Sequence, residues 1–231
     1  MKLAVMQPYF FPYLGYYQLA ASVDHFVFLD DVSFIRRGYI NRNQILLHGQ
    51  PFRFSLPVIA ASQNCRIDEL RFKGGHSQFL QQLRHAYRRA TYFEEAFSLV
   101  EAVCQRSDQN VARLCAASIE EVFKFIGRPF FSSFASSKPS QARGEARILE
   151  LCERFGADTY HNASGGRGLY NANVFKEREV RLRFIGGYFP TYTQVGQGSF
   201  APGLSMIDVL MNNSPQAVDE MLSLGELEDA K

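Results

Sequence analysis

Two closely spaced prolines place the strongest constraint on how this chain can fold. Pro8 and Pro12 separate the apolar run at 3–6 from residues 13–21, where Leu14, Gln18 and Ala21 share a helical face with Tyr17 beside it. Each proline removes a backbone N–H and fixes φ, so neither a strand nor a helix can continue through them. A second apolar run at 26–29 ends on Asp30 and Asp31. The segment therefore reads as a β-loop-α-β unit. Ligands of such units sit beyond the carboxyl ends of the strands, which singles out Gln7, Tyr9, Asp30 and Asp31.

The remainder keeps alternating. Residues 52–58 read as a strand with Phe52, Phe54, Leu56 and Val58 on one face, held at an edge or strand end by Pro57. A further short strand is expected at 66–72, followed by a turn at Lys73, Gly74, Gly75 and His76. Phe79, Leu80, Leu83, Tyr87 and Ala90 give 77–92 a helical stripe. Its other face carries Gln81, Arg84, His85, Arg88 and Arg89, either solvated surface or a second anion contact. The clearest helix spans 108–126 and stops at Gly127 and Pro129.

Then come a short β-type run at 130–134, a serine-rich link, a helix at 145–155 stopped by Gly156, a strand at 158–161 and another at 180–185. Ser205 and Asp208 have capping-box spacing, which makes Asp208 a helix-cap acid rather than a catalyst. Ser214 and Pro215 start a last helix, and 225–231 reads as a frayed tail. Alternating strands and helices imply an α/β fold: a mostly parallel sheet with helices on both faces, as a single domain over 1–231 with a smaller helical and β insertion.

With 46% hydrophobic residues among 231, the chain can build a substantial core. A net charge of +2 gives no global attraction to polyanions, so nucleic acid is not an expected partner. No apolar run is long enough to span a bilayer, and the prolines interrupt any signal-like segment; a cytoplasmic location is the expectation. Cys65, Cys104, Cys115 and Cys152 are scattered without a C-x-x-C pair; Cys115 and Cys152, on apolar helix faces, read as packing thiols, and no metal site is expected.

Two segments suggest anion chemistry. Arg36, Arg37 and Arg42, with Asn41 and Asn43 beside the last, follow the paired aspartates with no acid among them. Three guanidinium groups there call for an anion or for those aspartates, although a solvated loop is the alternative. Ser164, Gly165 and Gly166 follow the 158–161 strand directly. Backbone N–H groups unshielded by a Cβ make them a candidate anion nest, the alternative being an ordinary turn.

Several phrases together resemble the WbqC-like family: Met6-Gln7-Pro8-Tyr9-Phe10-Phe11-Pro12-Tyr13-Leu14-Gly15-Tyr16, Asp30-Asp31-Val32, Arg37-Gly38-Tyr39-Ile40-Asn41-Arg42-Asn43, Ser164-Gly165-Gly166-Arg167-Gly168-Leu169-Tyr170 and Pro202-Gly203-Leu204-Ser205-Met206-Ile207-Asp208-Val209-Leu210-Met211. The resemblance implies a setting in bacterial O-antigen and other surface-polysaccharide (lipopolysaccharide) gene clusters, and no defined reaction. The opening unit is also similar to HIGH-type nucleotidyltransferases, a Rossmann-like group. Tyr13 and Tyr16 stand where that motif has its two histidines. Tyrosine donates one hydrogen bond but is uncharged near neutral pH. No K-M-S-K-S or S-S-T-x-x-R clamp follows, so that similarity implies architecture more than ATP chemistry.

The expected function is a group transferase, of acyl, aminoacyl or nucleotidyl type, acting on a sugar or nucleotide-sugar. Asp30 is the candidate general base. Arg37 and Arg42 are the catalytic anion holders. Gln7, Tyr9, Tyr16, Asp31, Asn41, Asn43, Ser164, Gly165 and Gly166 are expected to bind substrate. An ion pair of Asp30 with Arg36 or Arg37 is the structural alternative. No cysteine or serine stands out as a nucleophile, which favours direct transfer. A binding module that holds the same ligand without turning it over is the competing function. No cofactor motif is legible.

Overall fold

A computed structural model describes residues 1–196 and 198–230. Strand β1 (Lys2–Met6) passes through the two prolines into α1 (Leu14–Ala21) and returns as β2 (His25–Phe28), the unit expected from sequence. The chain then leaves the sheet for a hairpin, β3 (Arg42–Leu47) and β4 (Gln50–Ser55), and three helices, α2 (Ser77–Tyr87), α3 (Phe93–Cys104) and α4 (Val111–Phe125). It re-enters as β5 (Ser132–Phe134) and continues through α5 (Gly144–Phe155), β6 (Thr159–Ala163), α6 (Ala172–Glu177) and β7 (Arg181–Gly186). Helices α7 (Met206–Asn212) and α8 (Pro215–Leu222) precede the last strand, β8 (Glu226–Asp229).

The sheet runs β5-β2-β1-β6-β7-β8, parallel throughout except for antiparallel β8. Among the parallel strands the chain moves outward from β1 to β5, then restarts on the other side of β1 with β6. The direction of winding therefore reverses between β1 and β6.

Side-chain alternation along β1 splits the core into two layers. Leu3 and Val5 pack with Val27, Leu149, Cys152 and Phe175 on the side of α5 and α6. Ala4 belongs to the larger layer with Phe26, Phe28 and residues of α1, α4 and α7. Asn110 caps α4 by accepting from the Arg113 N–H, Ser214 caps α8 ahead of Pro215, and Gly156 ends α5 at φ 64°.

Several features differ from the expectation. Helix α3 carries no single stop signal before it, and the basic helix at 77–92 ends instead at Tyr87. Residues 66–72 form a short 3-10 turn (Ile67–Glu69) flanked by isolated bridges, because Asp68 and Glu69 turn back onto Arg66. The tail at 225–231 is not frayed in its described part: β8 pairs with β7, while Lys231 lies outside the described residues. Asp208 is no cap acid, since Ser205 caps α7 through the Ile207 N–H and the Asp208 carboxylate is turned inward to Tyr87, Tyr192 and Gln194.

The proline loop is strained and secured. Phe11 lies at φ 41°, a region that costs an ordinary residue about 1 kcal/mol or more. Its N–H donates to Ser118 Oγ at 2.9 Å, and its carbonyl accepts from Asn43 Nδ2 at 2.8 Å and Ser205 Oγ at 2.7 Å. Three distant segments thus fix the exit from β1.

Candidate functional site

A cleft of about 620 Å³ opens where the winding reverses, at the carboxyl ends of β1 and β6. In doubly wound sheets this is where ligands bind. Met6, Gln7, Tyr9, Tyr13 and Gly15 come from the end of β1, the proline loop and the start of α1, and Asn162, Ser164, Gly165, Gly166 and Tyr170 from the end of β6 and the turn beyond it. Ile185, Gly187 and Phe189 complete the wall after β7, and Leu29 and Ile148 come from the β2 and α5 side.

Glycine leaves room for a ring at two places along this wall. A Cβ on Gly15 would lie 2.6 Å from Tyr13 Cε2, and one on Gly187 would lie 2.9 Å from Phe189 Cζ. Both glycines therefore make room for the aromatic rings that flank the cleft. Gly165 and Gly166 play a different part from the nest expected. They wind, with right-handed backbone, as a 3-10 turn (Ser164–Leu169) rather than alternating into left-handed φ. Gly166 lies against the Asn162 side chain, 3.2 Å from a Cβ built on it.

The polar groups form a neutral network. Asn162, buried, donates from Nδ2 to Tyr160 Oη at 3.2 Å and accepts from the Ala163 N–H at 2.7 Å. The Tyr160 hydroxyl lies 3.3 Å from that of Tyr170. Tyr9 donates to Gln7 Oε1 at 3.4 Å, and Tyr16 donates to the Gln7 carbonyl at 2.9 Å. Burial raises Tyr9, Tyr13 and Tyr170 above the ordinary phenol range, so all three remain neutral hydroxyls at physiological pH. Among the described residues, no Asp, Glu, Lys, Arg, His or Cys lines the cleft. Among the described residues, no cluster of three or more His, Cys, Asp or Glu side chains could hold a metal ion.

The structure thus brings together Gln7, Tyr9, Ser164, Gly165 and Gly166, with Tyr16 directly beneath Gln7. The other expected site residues lie off the cleft wall. Asp30 is buried and accepts from the Ser136 N–H at 2.8 Å and Ser136 Oγ at 2.6 Å, not from Arg36 or Arg37. Desolvation nevertheless raises its pKa. Asp31 pairs at 2.8 Å with buried Arg147, which also donates to the Ala135 and Lys138 carbonyls. Asn41 donates to the Leu56 carbonyl at 2.7 Å and Asn43 to that of Phe11, so both serve the hairpin and the proline loop. Arg42 Nε donates to the Gly38 carbonyl at 2.8 Å, and Arg37 is exposed at φ 62°.

Sequence reasoning did not place Tyr13, Asn162, Tyr170 and Phe189 among the binding residues. Asn162 and Tyr170 bracket the Ser-Gly-Gly run, so the strand end itself could have pointed to them. Phe189 had only the Gly186 and Gly187 exit as a signal.

A family model described as the WbqC-like protein family matches residues 7–220. The chain belongs to this family. That span contains the cleft residues from Gln7 to Phe189. Within its curated relatives, this WbqC-like protein is 26% identical over 226 residues to the "Uncharacterized protein Rv1507c" of Mycobacterium tuberculosis, a match covering 94% of this chain and 96% of that one. No solved structure matches it. Among the described residues, no helix of this WbqC-like protein is long and apolar enough to cross a membrane.

Proposed function

We propose that this protein works in surface-polysaccharide assembly by binding the sugar of a sugar or nucleotide-sugar substrate in the cleft between β1 and β6. One observation carries the reading: among the described residues, the wall combines tyrosine and phenylalanine rings with neutral amide and hydroxyl groups and no fixed charge. Such a surface suits a polyhydroxylated ring, whose C–H faces pack on aromatics while its hydroxyls exchange hydrogen bonds with Gln7, Asn162 and the tyrosines. The strand order supports a Rossmann-like architecture, in which the same crevice takes nucleotides. The family membership supports the polysaccharide setting.

Group transfer on the bound sugar is a second reading, and the state of Asp30 favours it. This carboxyl follows Leu29, a cleft residue, and its raised pKa suits a general base once its oxygens exchange the Ser136 contacts for the substrate. Titration of nucleotide-sugars and free sugars, followed by mass spectrometry of each mixture, tests both readings. Saturable binding that Asn162→Ala weakens supports the site, and a new product supports transfer. Binding unaffected by Asn162→Ala overturns the cleft assignment, and tight binding without product overturns transfer.

A further inference from the structure

A second groove, of about 340 Å³, lies outside the cleft, between the tip of the β3–β4 hairpin and the end of α2. Among the described residues its polar side chains are His48, His85, Arg88 and Arg89, and no acid lines it. The backbone builds this cluster deliberately. His48 and Gly49 both have left-handed φ, 53° and 71°, as a two-residue hairpin turn of the primed type demands. A residue other than glycine is uncommon in that conformation, histidine being among those that tolerate it, and here the turn sets the His48 ring 5.2 Å from that of His85, edge to face.

Gly196 closes the groove from the far side. A Cβ on it would lie 3.0 Å from Gly49 Cα, so the two backbones touch and hold the hairpin tip in place. The basic residues of α2 are not equivalent. Arg84 lays its guanidinium over the Phe97 ring at 4.6 Å and is occupied. Arg88 and Arg89 line the groove and form no ion pair among the described residues. They would also favour the negative end of the α2 dipole, but that role needs no histidine facing them from the hairpin tip and no walled pocket.

We propose that this groove binds a phosphoryl anion, a phosphate or diphosphate group, through His85, Arg88 and Arg89 at the end of α2 with His48 donating from the hairpin tip opposite. Guanidinium forks match phosphate oxygens, and imidazole N–H groups add donors that a solvated basic face lacks. The volume accommodates a phosphate or diphosphate with only a small attached group. The site is independent of the sugar cleft, and its test does not involve the cleft residues.

The phosphoryl group could belong to a soluble molecule or to a lipid headgroup, so the test has two arms at one fixed ionic strength. Inorganic pyrophosphate is titrated calorimetrically, and phosphatidylcholine vesicles with and without phosphatidic acid are used for co-sedimentation. Saturable one-to-one binding in either arm is expected, with the responding arm identifying the source. Arg88→Gln with Arg89→Gln should weaken it about tenfold or more, the scale of a lost charge-assisted pair. His48→Asn, which keeps a residue tolerant of left-handed φ, should weaken it less. Arg84→Gln, whose side chain is engaged on Phe97, should leave it unchanged. Absence of saturation in both arms, or equal weakening by Arg84→Gln, overturns the site, as does binding to RNA or heparin that pyrophosphate does not displace.

Discussion

The rings of Tyr13 and Phe189 pack with centroids 6.0 Å apart at a 40° tilt, and both line the cleft. This pair joins the proline loop to the exit of β7, so the aromatic wall exists only because these two segments meet. Gly15 and Gly187 keep it open to the two rings. Phe189 is 37% exposed, so its removal changes little of the core. Phe189→Ala should weaken binding of the responding sugar or nucleotide-sugar roughly two- to tenfold, the equivalent of about 0.5–1.5 kcal/mol for an aromatic contact, while the melting temperature shifts by no more than a degree or so. Calorimetry beside a thermal melt checks both halves. An unchanged affinity would put the ligand elsewhere.

His161 gives the fold an acid limb. Its ring is fully buried on β6, with Nδ1 2.9 Å from Ser22 Oγ and no hydrogen-bond partner at Nε2. Burial, helped by Arg183 and Lys2, lowers its pKa from 6.5 to about 4. The unfolded chain therefore binds a proton more readily than the folded one between these values. Stability is fully present above pH 6.5 and is lost as pH falls toward 4, by about 3 kcal/mol from this group. Asp30 and Asp208 act in the opposite sense, because desolvation raises both and protonating them relieves a buried charge. Urea midpoints from pH 7.5 to 4 should fall, and His161→Gln should flatten that fall. An equal slope in the variant would assign the limb to other groups.

The Asp31–Arg147 pair should be costly to break on one side. Only 4% of the Arg147 side chain and 11% of the Asp31 side chain are exposed. Removing Arg147 leaves the Asp31 charge buried without its partner, a loss of about 3–5 kcal/mol, whereas Arg147 keeps a 3.5 Å pair with Glu150 when Asp31 is removed. Arg147→Met should lower the urea midpoint sharply, and Asp31→Asn less, since the amide oxygen still accepts. If Arg147→Met were no worse than a surface substitution, the pair would carry no structural weight, and Asp31 would be free for a role in binding.

What could be read from the sequence was local or periodic. The prolines, the apolar runs and the glycine stops located β1, α1, β2, α4, α5, β6 and β7, and strict alternation implied the parallel sheet that the structure contains. Tertiary partners left no such trace. Asp208 stands three residues after Ser205, as a capping acid would, yet its carboxylate accepts from the Tyr87 and Tyr192 hydroxyls, both at 2.7 Å. Tyr87 is on α2, far away in the chain. The same holds for the arginine-rich loop at 36–42. Composition alone cannot tell a guanidinium aimed at a ligand from one hydrogen-bonded to a carbonyl four residues back, as Arg42 is to Gly38. The cleft was half legible: strand ends named Gln7, Tyr9 and the Ser-Gly-Gly turn, whereas Phe189 enters it only through tertiary packing.

Gln18 supplies a test of how the wall is held. It is fully buried on α1 and donates from Nε2 to the Tyr188 carbonyl at 2.8 Å and the Met221 carbonyl at 2.9 Å. One amide thus anchors both the segment carrying Phe189 and the end of α8. Gln18→Leu leaves two carbonyls without a donor, at a cost of about 1–3 kcal/mol each, partly offset because Oε1 has no partner in the native state. Global stability should fall, and amide exchange at residues 187–190 should quicken. If Gln18 acts on the ligand by positioning Phe189, then Gln18→Leu weakens sugar binding to about the same degree as Phe189→Ala, and the double variant is no weaker than the worse single one. Residues acting through one contact are non-additive in this way. Affinities that fall independently and add in the double variant would show that Gln18 contributes through overall stability, and the Phe189 segment would then be positioned by Tyr13 and Gly187 without it.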